Sequence, residues 1–199
     1  MTTLTPFFSI AFSYLFGAIP FGLVFSRLFS NIDVRTVGSG NIGATNVLRA
    51  SGKKAAALTL LADCLKGYIP VLAAKLLLQD DWITVSCAAA AVLGHNYPVY
   101  LGFKGGKGVA TSFGVILAVV PPIGVLCLAV WLAVAILGRY SSLAAIISFA
   151  AYPLLSFVFF SSSRPLGLLS LFIFGMIYYR HRENLKRLLA GTEPKIGQK

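Results

Sequence analysis

VATSFGVILAVVPPIGVLCLAVWLAVAILG, residues 109–138, carries no charged side chain and is interrupted once, by Pro121-Pro122. A helix needs about 20 apolar residues to cross the hydrocarbon core of a bilayer. A proline inside a helix removes a hydrogen bond and kinks or breaks the helix. The stretch is therefore either one long kinked span or two short spans joined by a turn at the prolines, and this choice decides the topology of the chain.

Further apolar stretches lie on both sides of this segment. They cover about residues 7–29, 55–78, 82–100, 140–160 and 165–179. The first lacks the basic start of a signal peptide, so we expect a retained helix. With 57% hydrophobic and only 12% charged residues, the chain is too apolar for a soluble domain. The sequence predicts an all-α integral membrane protein.

The distribution of positive charge favours splitting the proline-containing stretch into two spans. With seven spans, fifteen of the 17 Lys and Arg residues fall on one side, and only Lys75 and Arg164 fall on the other. Basic residues concentrate in the cytosolic loops of membrane proteins. We therefore expect seven transmembrane helices, with the N-terminus outside and the C-terminus in the cytosol, forming one membrane-embedded domain over residues 1–199.

Charge and cysteine content exclude several classes of protein. The net charge of +11 reports topology and contact with anionic lipid in such an apolar chain, so we expect no nucleic-acid partner. The composition also excludes a disordered tail and a soluble dinucleotide-binding enzyme. Cys64, Cys87 and Cys127 are odd in number and lie in apolar runs, so we expect neither a disulfide framework nor a thiolate metal site. The two histidines have no nearby acidic ligands and make no convincing metal site.

The loop after the first span is rich in glycine and reads VGSGNIGATN over residues 37–46, with Arg49 shortly after. Clustered glycines let successive N–H groups converge on an anion, and a following helix N-terminus adds a favourable dipole. The match to the dinucleotide pattern G-x-G-x-x-G is a decoy, because no strand precedes it. The alternative is an ordinary turn between helices, with Thr45 or Asn46 as the helix N-cap.

A second basic loop, residues 94–108, repeats the theme with GHNYP followed by FKGGKG. Lys104 and Lys107, interleaved with glycines, combine point charges with free N–H groups, which suits a phosphate. Gly108 stands where a nucleotide-binding P-loop has Ser or Thr, so no nucleotide is implied. The alternative here is a flexible turn with cytosolic lysines.

Polar side chains at the spans form the remaining candidates. Asp63 and Lys66 are three residues apart on one helix face. They are predicted to pair, because an isolated charge within the hydrocarbon core of the bilayer is costly. His95 and His181 lie at cytosolic helix ends, and His181 shares a stripe with Asn184 and Arg187. A triad of Ser39, His95 and Asp63 can be drawn, but the spacing does not fix its geometry. These residues favour a reaction between a soluble phosphate compound and a lipid.

Several ordered motifs together resemble one enzyme family. They are GSGNIGATN at 38–46, DxxKG at 63–67, GHNYP at 94–98, FKGGKG at 103–108, and HxxN at 181–184 with GTE at 191–193. They cover nearly the whole chain and are similar to those of the bacterial acyl-phosphate-dependent glycerol-3-phosphate acyltransferases. The family is similar in having seven spans, one small domain and a cytosolic active site.

The resemblance implies transfer of a fatty acyl group from acyl phosphate to the 1-hydroxyl of glycerol 3-phosphate. The products are 1-acylglycerol 3-phosphate and inorganic phosphate, in the first acylation of bacterial phospholipid synthesis. It implies no cofactor, membrane lipids as partners, an upstream enzyme that forms acyl phosphate, and the bacterial inner membrane as location. An alternative is a transporter or binding protein for organic phosphates, and a third is a structural lipid-binding subunit. Oligomeric state is left open.

The resemblance also carries expected roles for individual residues. Ser39, His95 and Lys107 are expected to be catalytic, with His95 polarising the substrate or moving a proton. A mechanism without a protein base, in which the substrate's phosphate accepts the proton, stays open. Asp63 and Lys66 are expected to be structural or supporting residues. The expected substrate-binding residues are Gly38, Gly40, Asn41, Asn46, Arg49, Lys104, Gly105, Gly106, Gly108, His181 and Asn184.

Overall fold

The computed structural model describes residues 4–197, and within that range the chain is helical without any β-strand. The all-α expectation is therefore confirmed for the described residues. The α-helices are α1 (Thr5–Gly17), α2 (Phe21–Ser30), α3 (Ala44–Leu78), α4 (Asp81–Asn96), α5 (Val109–Val119), α6 (Pro121–Gly138), α7 (Ser141–Phe160), α8 (Arg164–Arg180) and α9 (Arg182–Leu189). Short 3-10 turns lie at Val34–Thr36 and Val99–Leu101.

The paired prolines break the helix as the sequence predicts. Helix α5 ends at Val119, and α6 starts at Pro121, a position where a proline's missing N–H costs no hydrogen bond. Val120 between them has φ −139° and ψ 81°, outside the helical region. The chain also divides here into two compact units, one ending at Val119 and the other beginning at Val120.

Within residues 4–197, four helical segments are long and apolar enough to cross a membrane. They are Thr5–Ser30, Ala44–Leu78, Pro121–Gly138 and Ser141–Phe160. The first joins α1 and α2 across a break at residues 18–20, and Pro20 lies at its end. These segments make the chain a membrane protein.

Helix α3 differs from the expected span because it begins eleven residues earlier, at Ala44 rather than at Ala55. Gly52 kinks it with φ 82° and ψ −177°, in the left-handed region that glycine occupies most readily. The N-cap is Gly43, so the N-cap at Thr45 or Asn46 that the alternative interpretation of the loop gave is wrong. The next expected span, residues 82–100, is shorter in the structure, because α4 ends at Asn96, before Pro98.

Helices of the first unit approach each other closely at glycines. A Cβ on Gly17 would overlap Ala91 of α4, and a Cβ on Gly94 would overlap the Tyr14 carbonyl of α1. In the same way Gly114 of α5 lies against the Cys64 carbonyl of α3. Small residues of this kind let helix backbones pack tightly in membranes. The close contact at Gly94 fixes the end of α4 that carries His95.

In the second unit, α7 packs against α6, α8 and α9. The tail after α9 folds back onto this unit, where the Ile196 N–H donates to the Arg139 carbonyl at 2.6 Å. Glu193 anchors the tail through hydrogen bonds from the Ser142 hydroxyl, the Asn184 amide and the Arg187 guanidinium, at 2.6, 2.7 and 2.8 Å.

Acid should release this tail. Burial acts to raise the pKa of the Glu193 carboxyl, but the hydrogen bonds from Ser142, Asn184 and Arg187 outweigh it, so its pKa lies below the usual 4.5. A group with a lowered pKa stabilises the fold above its ordinary pKa and loses that contribution as the pH falls through the lowered value. We expect amide exchange at Thr192 and Ile196, corrected for the intrinsic rate, to stay slow at pH 6 and accelerate below pH 4.5. Glu193→Gln should exchange quickly at both pH values, and slow exchange in that variant would contradict the assignment.

Candidate active site

The glycine-rich loop after α2 is held in shape by the buried side chain of Asn46. Its amide donates to the carbonyls of Val34, Val37 and Asn41 at 2.9, 3.0 and 3.0 Å, and its oxygen accepts from the Ser39 N–H at 3.0 Å. Asn46 is 3% exposed, so these bonds lie away from water. Asn46 therefore shapes the loop, and its expected contact with substrate stays a prediction.

Ser39 lies at the exposed tip of this loop, between Gly38 at φ 58° and Gly40 at φ 67°. Two left-handed residues flanking one position turn the backbone sharply, and only glycine adopts both at low cost. The Asn41 side chain accepts from the Gly43 N–H at 2.8 Å. Arg49 is exposed in the first turns of α3. Ser39 and Arg49 are thus both exposed on the first unit, and their expected contact with an anion stays a prediction.

Removing the Asn46 side chain should unfold this loop locally. The two amide hydrogens and the oxygen of Asn46 amount to about three full hydrogen bonds, each worth about 0.5–1.5 kcal/mol net, so the expected loss for Asn46→Ala is about 1.5–4.5 kcal/mol. Thermal unfolding of the purified protein measures this loss. Thr36→Ala is the matched control, because that exposed hydroxyl makes one bond to the Asp33 carbonyl in the same loop. Equal stability of Asn46→Ala and Thr36→Ala would contradict the assigned role.

Asp33, at the start of the same loop, forms an ion pair that fixes the loop's entry. Its carboxylate accepts from Arg35 at 2.6 Å and from Arg27 at 3.1 Å. The hydrogen bond from the Arg35 side chain, aided by Arg27, holds the pKa of Asp33 well below its usual range. Arg35 and Arg27 are therefore occupied in shaping the loop.

The second loop, residues 97–108, wraps directly around His95. The Gly106 N–H donates to the His95 carbonyl at 3.1 Å, and a Cβ on Gly106 would overlap the ring at Nε2. A Cβ on Gly105 would meet the His95 carbonyl and Pro98. Gly108, at φ 83°, lies against the Asn96 amide. The glycines are thus required because the loop backbone touches the end of α4.

The two loops lie on the same side of the first unit. Leu101 of the second loop packs against a buried cluster that contains Val34, Ile42 and Val47 of the first loop region. Lys104 is exposed, and Lys107 is partly buried immediately before α5. The two Gly-rich basic loops therefore lie near each other in the fold, and their common membrane face stays a prediction.

A buried cluster of ionisable side chains lies beneath the second loop. The Lys66 ammonium contacts the Asp63 carboxylate at 2.7 Å, and the same carboxylate oxygen lies 3.8 Å from His95 Nδ1. Their side chains are at most 4% exposed. Lys66 also donates to the Ile19 carbonyl at 2.7 Å, at the break between α1 and α2. The predicted Asp63–Lys66 pair is present, but it also reaches His95, which spacing alone did not reveal.

The two nitrogens of His95 face different partners. Nδ1 points to Asp63 and Nε2 to Gly106. A neutral ring with its hydrogen on Nδ1 directs that hydrogen at the carboxylate and leaves Nε2 as an acceptor. The expected part of His95 in polarising the substrate or moving a proton stays a prediction.

In the second unit, His181 lies at the turn between α8 and α9, and Asn184 and Arg187 follow on α9, so the expected helical stripe is interrupted at His181. His181 is buried, with Nδ1 2.8 Å from the Ile177 carbonyl, and Asn184 donates to Glu193. Arg187 binds the same carboxylate. The tail motif therefore has a local structural role that the sequence did not reveal, and its expected substrate contacts stay predictions.

These features define an all-helical membrane protein with two glycine-rich loops, one of which covers a buried histidine, carboxylate and ammonium cluster. The family model described as glycerol-3-phosphate acyltransferase matches residues 7–191. The chain belongs to the glycerol-3-phosphate acyltransferase family.

Curated relatives and solved structures agree with this assignment. The glycerol-3-phosphate acyltransferase of Dinoroseobacter shibae is 50% identical over 187 residues, covering 94% of this chain and 91% of the relative. That of Caulobacter vibrioides is 50% identical over 193 residues, covering 96% and 88%. The crystal structure of the integral membrane acyltransferase PlsY in its glycerol 3-phosphate form has a TM-score of 0.91 at 45% identity, covering 97% of this chain and 96% of that one. Its lysophosphatidic acid form has a TM-score of 0.88 at 44% identity.

Proposed function

We propose that this protein transfers a fatty acyl group from acyl phosphate to the 1-hydroxyl of sn-glycerol 3-phosphate. The products are 1-acyl-sn-glycerol 3-phosphate and inorganic phosphate. The observation that carries the proposal is the contact of the glycine loop with His95 Nε2, which brings a loop rich in glycine and lysine and the histidine ring together. Relatives named for glycerol 3-phosphate, and PlsY structures in glycerol 3-phosphate and lysophosphatidic acid forms, support the acceptor and the product.

In the proposed reaction the 1-hydroxyl oxygen attacks the acyl carbonyl carbon, forming the new ester bond. The bond from that carbon to the phosphate oxygen breaks, and phosphate leaves with the electron pair. The hydroxyl proton passes to His95 Nε2. An acyl phosphate is an activated mixed anhydride, so orientation and charge stabilisation supply most of the acceleration.

In this proposal the two loops bind different substrates. Gly105, Gly106 and Gly108, with Lys104 and Lys107, are assigned to the acyl-phosphate headgroup, although the Gly106 N–H already donates to the His95 carbonyl. Lys107 offsets the charge that develops on the departing phosphate. Ser39 and its neighbours Gly38, Gly40 and Asn41 orient the attacking hydroxyl, and Arg49 binds the phosphate of glycerol 3-phosphate. His181 and Asn184 are assigned to glycerol 3-phosphate by the resemblance alone.

An assay on purified protein tests the proposal. Protein in detergent is mixed with palmitoyl phosphate and glycerol 3-phosphate, and both released phosphate and lysophosphatidic acid are measured. We expect the two products in equal amounts, and no product with palmitoyl-CoA in place of palmitoyl phosphate. Glycerol 3-phosphate uptake into vesicles without product would instead favour the transporter alternative. Neither product nor uptake would leave a structural lipid-binding role.

We further propose seven spans in the bacterial inner membrane, with the active site at the cytosolic face. Lys and Arg concentrate on one side of this arrangement. We expect reporter fusions at the two termini to report opposite sides, with the C-terminus in the cytosol. Both termini on one side would refute this topology without touching the proposed chemistry.

A further inference from the structure

We propose that Lys66 is a positioning residue for the glycine-rich loop at residues 37–46, and that it acts through the break between α1 and α2. The inference rests on the proposed function, because that function assigns this loop to glycerol 3-phosphate. Lys66 lies on α3 with its side chain 1% exposed, and it meets α2 where that helix begins.

The Lys66 ammonium contacts the chain on both sides of Pro20, the residue at which the first span is broken. It donates to the Ile19 carbonyl at 2.7 Å and lies 5.7 Å from the centre of the Phe21 ring, within the range of a cation–π contact. Phe21 is the first residue of α2. The ammonium is itself fixed by the Asp63 carboxylate at 2.7 Å. The start of α2 is therefore tied to the buried part of α3 by a directional bond.

Helix α2 is joined to the glycine-rich loop along its length. A Cβ on Gly22 would overlap the Ile42 carbonyl, so the two backbones touch there. The hydroxyls of Ser26 and Ser51 share a hydrogen bond of 2.5 Å. Leu23 belongs to the same buried cluster as Ile42. A shift of α2 therefore shifts the loop with it.

The segment that carries this loop, residues 21–51, has an interruption at each end. The α1–α2 break precedes it, and the Gly52 kink, with φ 82°, follows it. Regular helical hydrogen bonding therefore does not fix Ser39 and Arg49 relative to the rest of α3. Apolar packing against Ala55 holds the segment in place but is non-directional. The bond from Lys66 supplies the direction.

A double variant and a matched lysine variant test this role. Asp63→Asn combined with Lys66→Met removes both charges, because removing one partner would leave an uncompensated buried charge. The control is Lys75→Met. Lys75 lies on the same helix and also donates to a backbone carbonyl at 2.7 Å, but that carbonyl belongs to Val119 at the end of α5.

We expect the double variant to raise the KM for glycerol 3-phosphate about 10-fold or more and the KM for palmitoyl phosphate less than about twofold, because residues 97–108 lie outside the segment. The split between the two KM values is diagnostic, whereas kcat also responds to His95 beside Asp63. A purely structural loss would reduce the amount of folded enzyme and change neither KM, and Lys75→Met should also change neither. An unchanged KM for glycerol 3-phosphate, or an equal rise in both values, would overturn the proposal.

Gly22→Ala tests the contact between α2 and the loop without altering any charge. Its methyl group would overlap the Ile42 carbonyl, so α2 and the loop must separate. We expect the same selective rise in the KM for glycerol 3-phosphate, and a combined effect with the double variant smaller than the product of the two. A wild-type KM in Gly22→Ala would overturn the transmission through α2.

Hydrogen exchange in the unaltered protein keeps the proposal testable should the variants misfold. If α2 and the loop move as one body, added glycerol 3-phosphate should slow amide exchange in residues 21–30 as well as in residues 37–46. Protection confined to the loop would overturn the proposal. Absence of acyl transfer by the wild type, with this exchange pattern present, would instead refute the proposed function alone.

Discussion

His95→Gln should lower kcat by about 10²- to 10⁴-fold, the usual contribution of a positioned general base. Glutamine keeps a polar side chain of similar reach but cannot take up a proton at neutral pH. His95 is buried, with its two ring nitrogens facing Asp63 and Gly106, so the change removes proton transfer at the point where the loop meets the ring. The phosphate-release assay with palmitoyl phosphate measures the loss.

The outcome also decides between the two routes for the proton. Near-normal turnover of His95→Gln, in protein with unchanged thermal stability, would assign the proton to a phosphate oxygen of the substrate. Glu183→Gln is a suitable control, because that carboxylate lies on the exposed part of α9 and bonds to Lys186. It should leave kcat unchanged.

Gly106→Ala should reduce kcat/KM by about 100-fold or more. Its φ is not in the left-handed region, so alanine can adopt the backbone, and the effect arises from the added methyl group. That methyl would overlap His95 at Nε2, Cε1 and Cδ2, so either the ring or the loop must move. A displacement of about 1 Å at a reacting group can cost 10²-fold.

Two comparison variants test whether the contact between the added methyl group and the His95 ring causes the loss of activity. Gly175→Ala adds a methyl into open space within α8 and should be silent. Combining Gly106→Ala with His95→Ala removes the ring that the methyl strikes, so the stability lost in Gly106→Ala should return while activity stays low. A Gly106→Ala enzyme with normal kcat/KM would show that the loop need not touch the ring during turnover.

The sequence predicts those features that depend on short-range chemistry. Pro121-Pro122 breaks the helix because proline lacks the N–H that a helix interior uses, and this holds wherever the helix lies. Asp63 and Lys66 pair because they are one helical turn apart. The Gly52 kink was not predicted, since Gly52 precedes the expected span, which begins at residue 55.

The missed contacts of the site are all tertiary. Nothing in the spacing shows that Asp63 meets His95, because their distance depends on how α3 packs against α4. Lys66 reaches the Ile19 carbonyl only because the first helix is broken before Pro20, and a continuous helix would have used that carbonyl internally. The signal available in the sequence was a pair of charged residues within an apolar span. It pointed to Asp63 and Lys66 but did not identify His95 and the Ile19 carbonyl as the groups that they contact.

The length of α4 has a consequence for where an acyl chain lies during reaction. Its 16 residues rise about 24 Å, which is less than the hydrocarbon thickness of about 30 Å. Asp80 and Asp81 at its start carry charges that belong at the lipid headgroups. If α4 crosses the membrane as in the proposed topology, with that end at the headgroups, His95 lies several ångströms below the opposite headgroup layer. A fatty chain could then remain dissolved among the lipid tails throughout transfer, and only the phosphate ends of the two substrates would need to descend from the water.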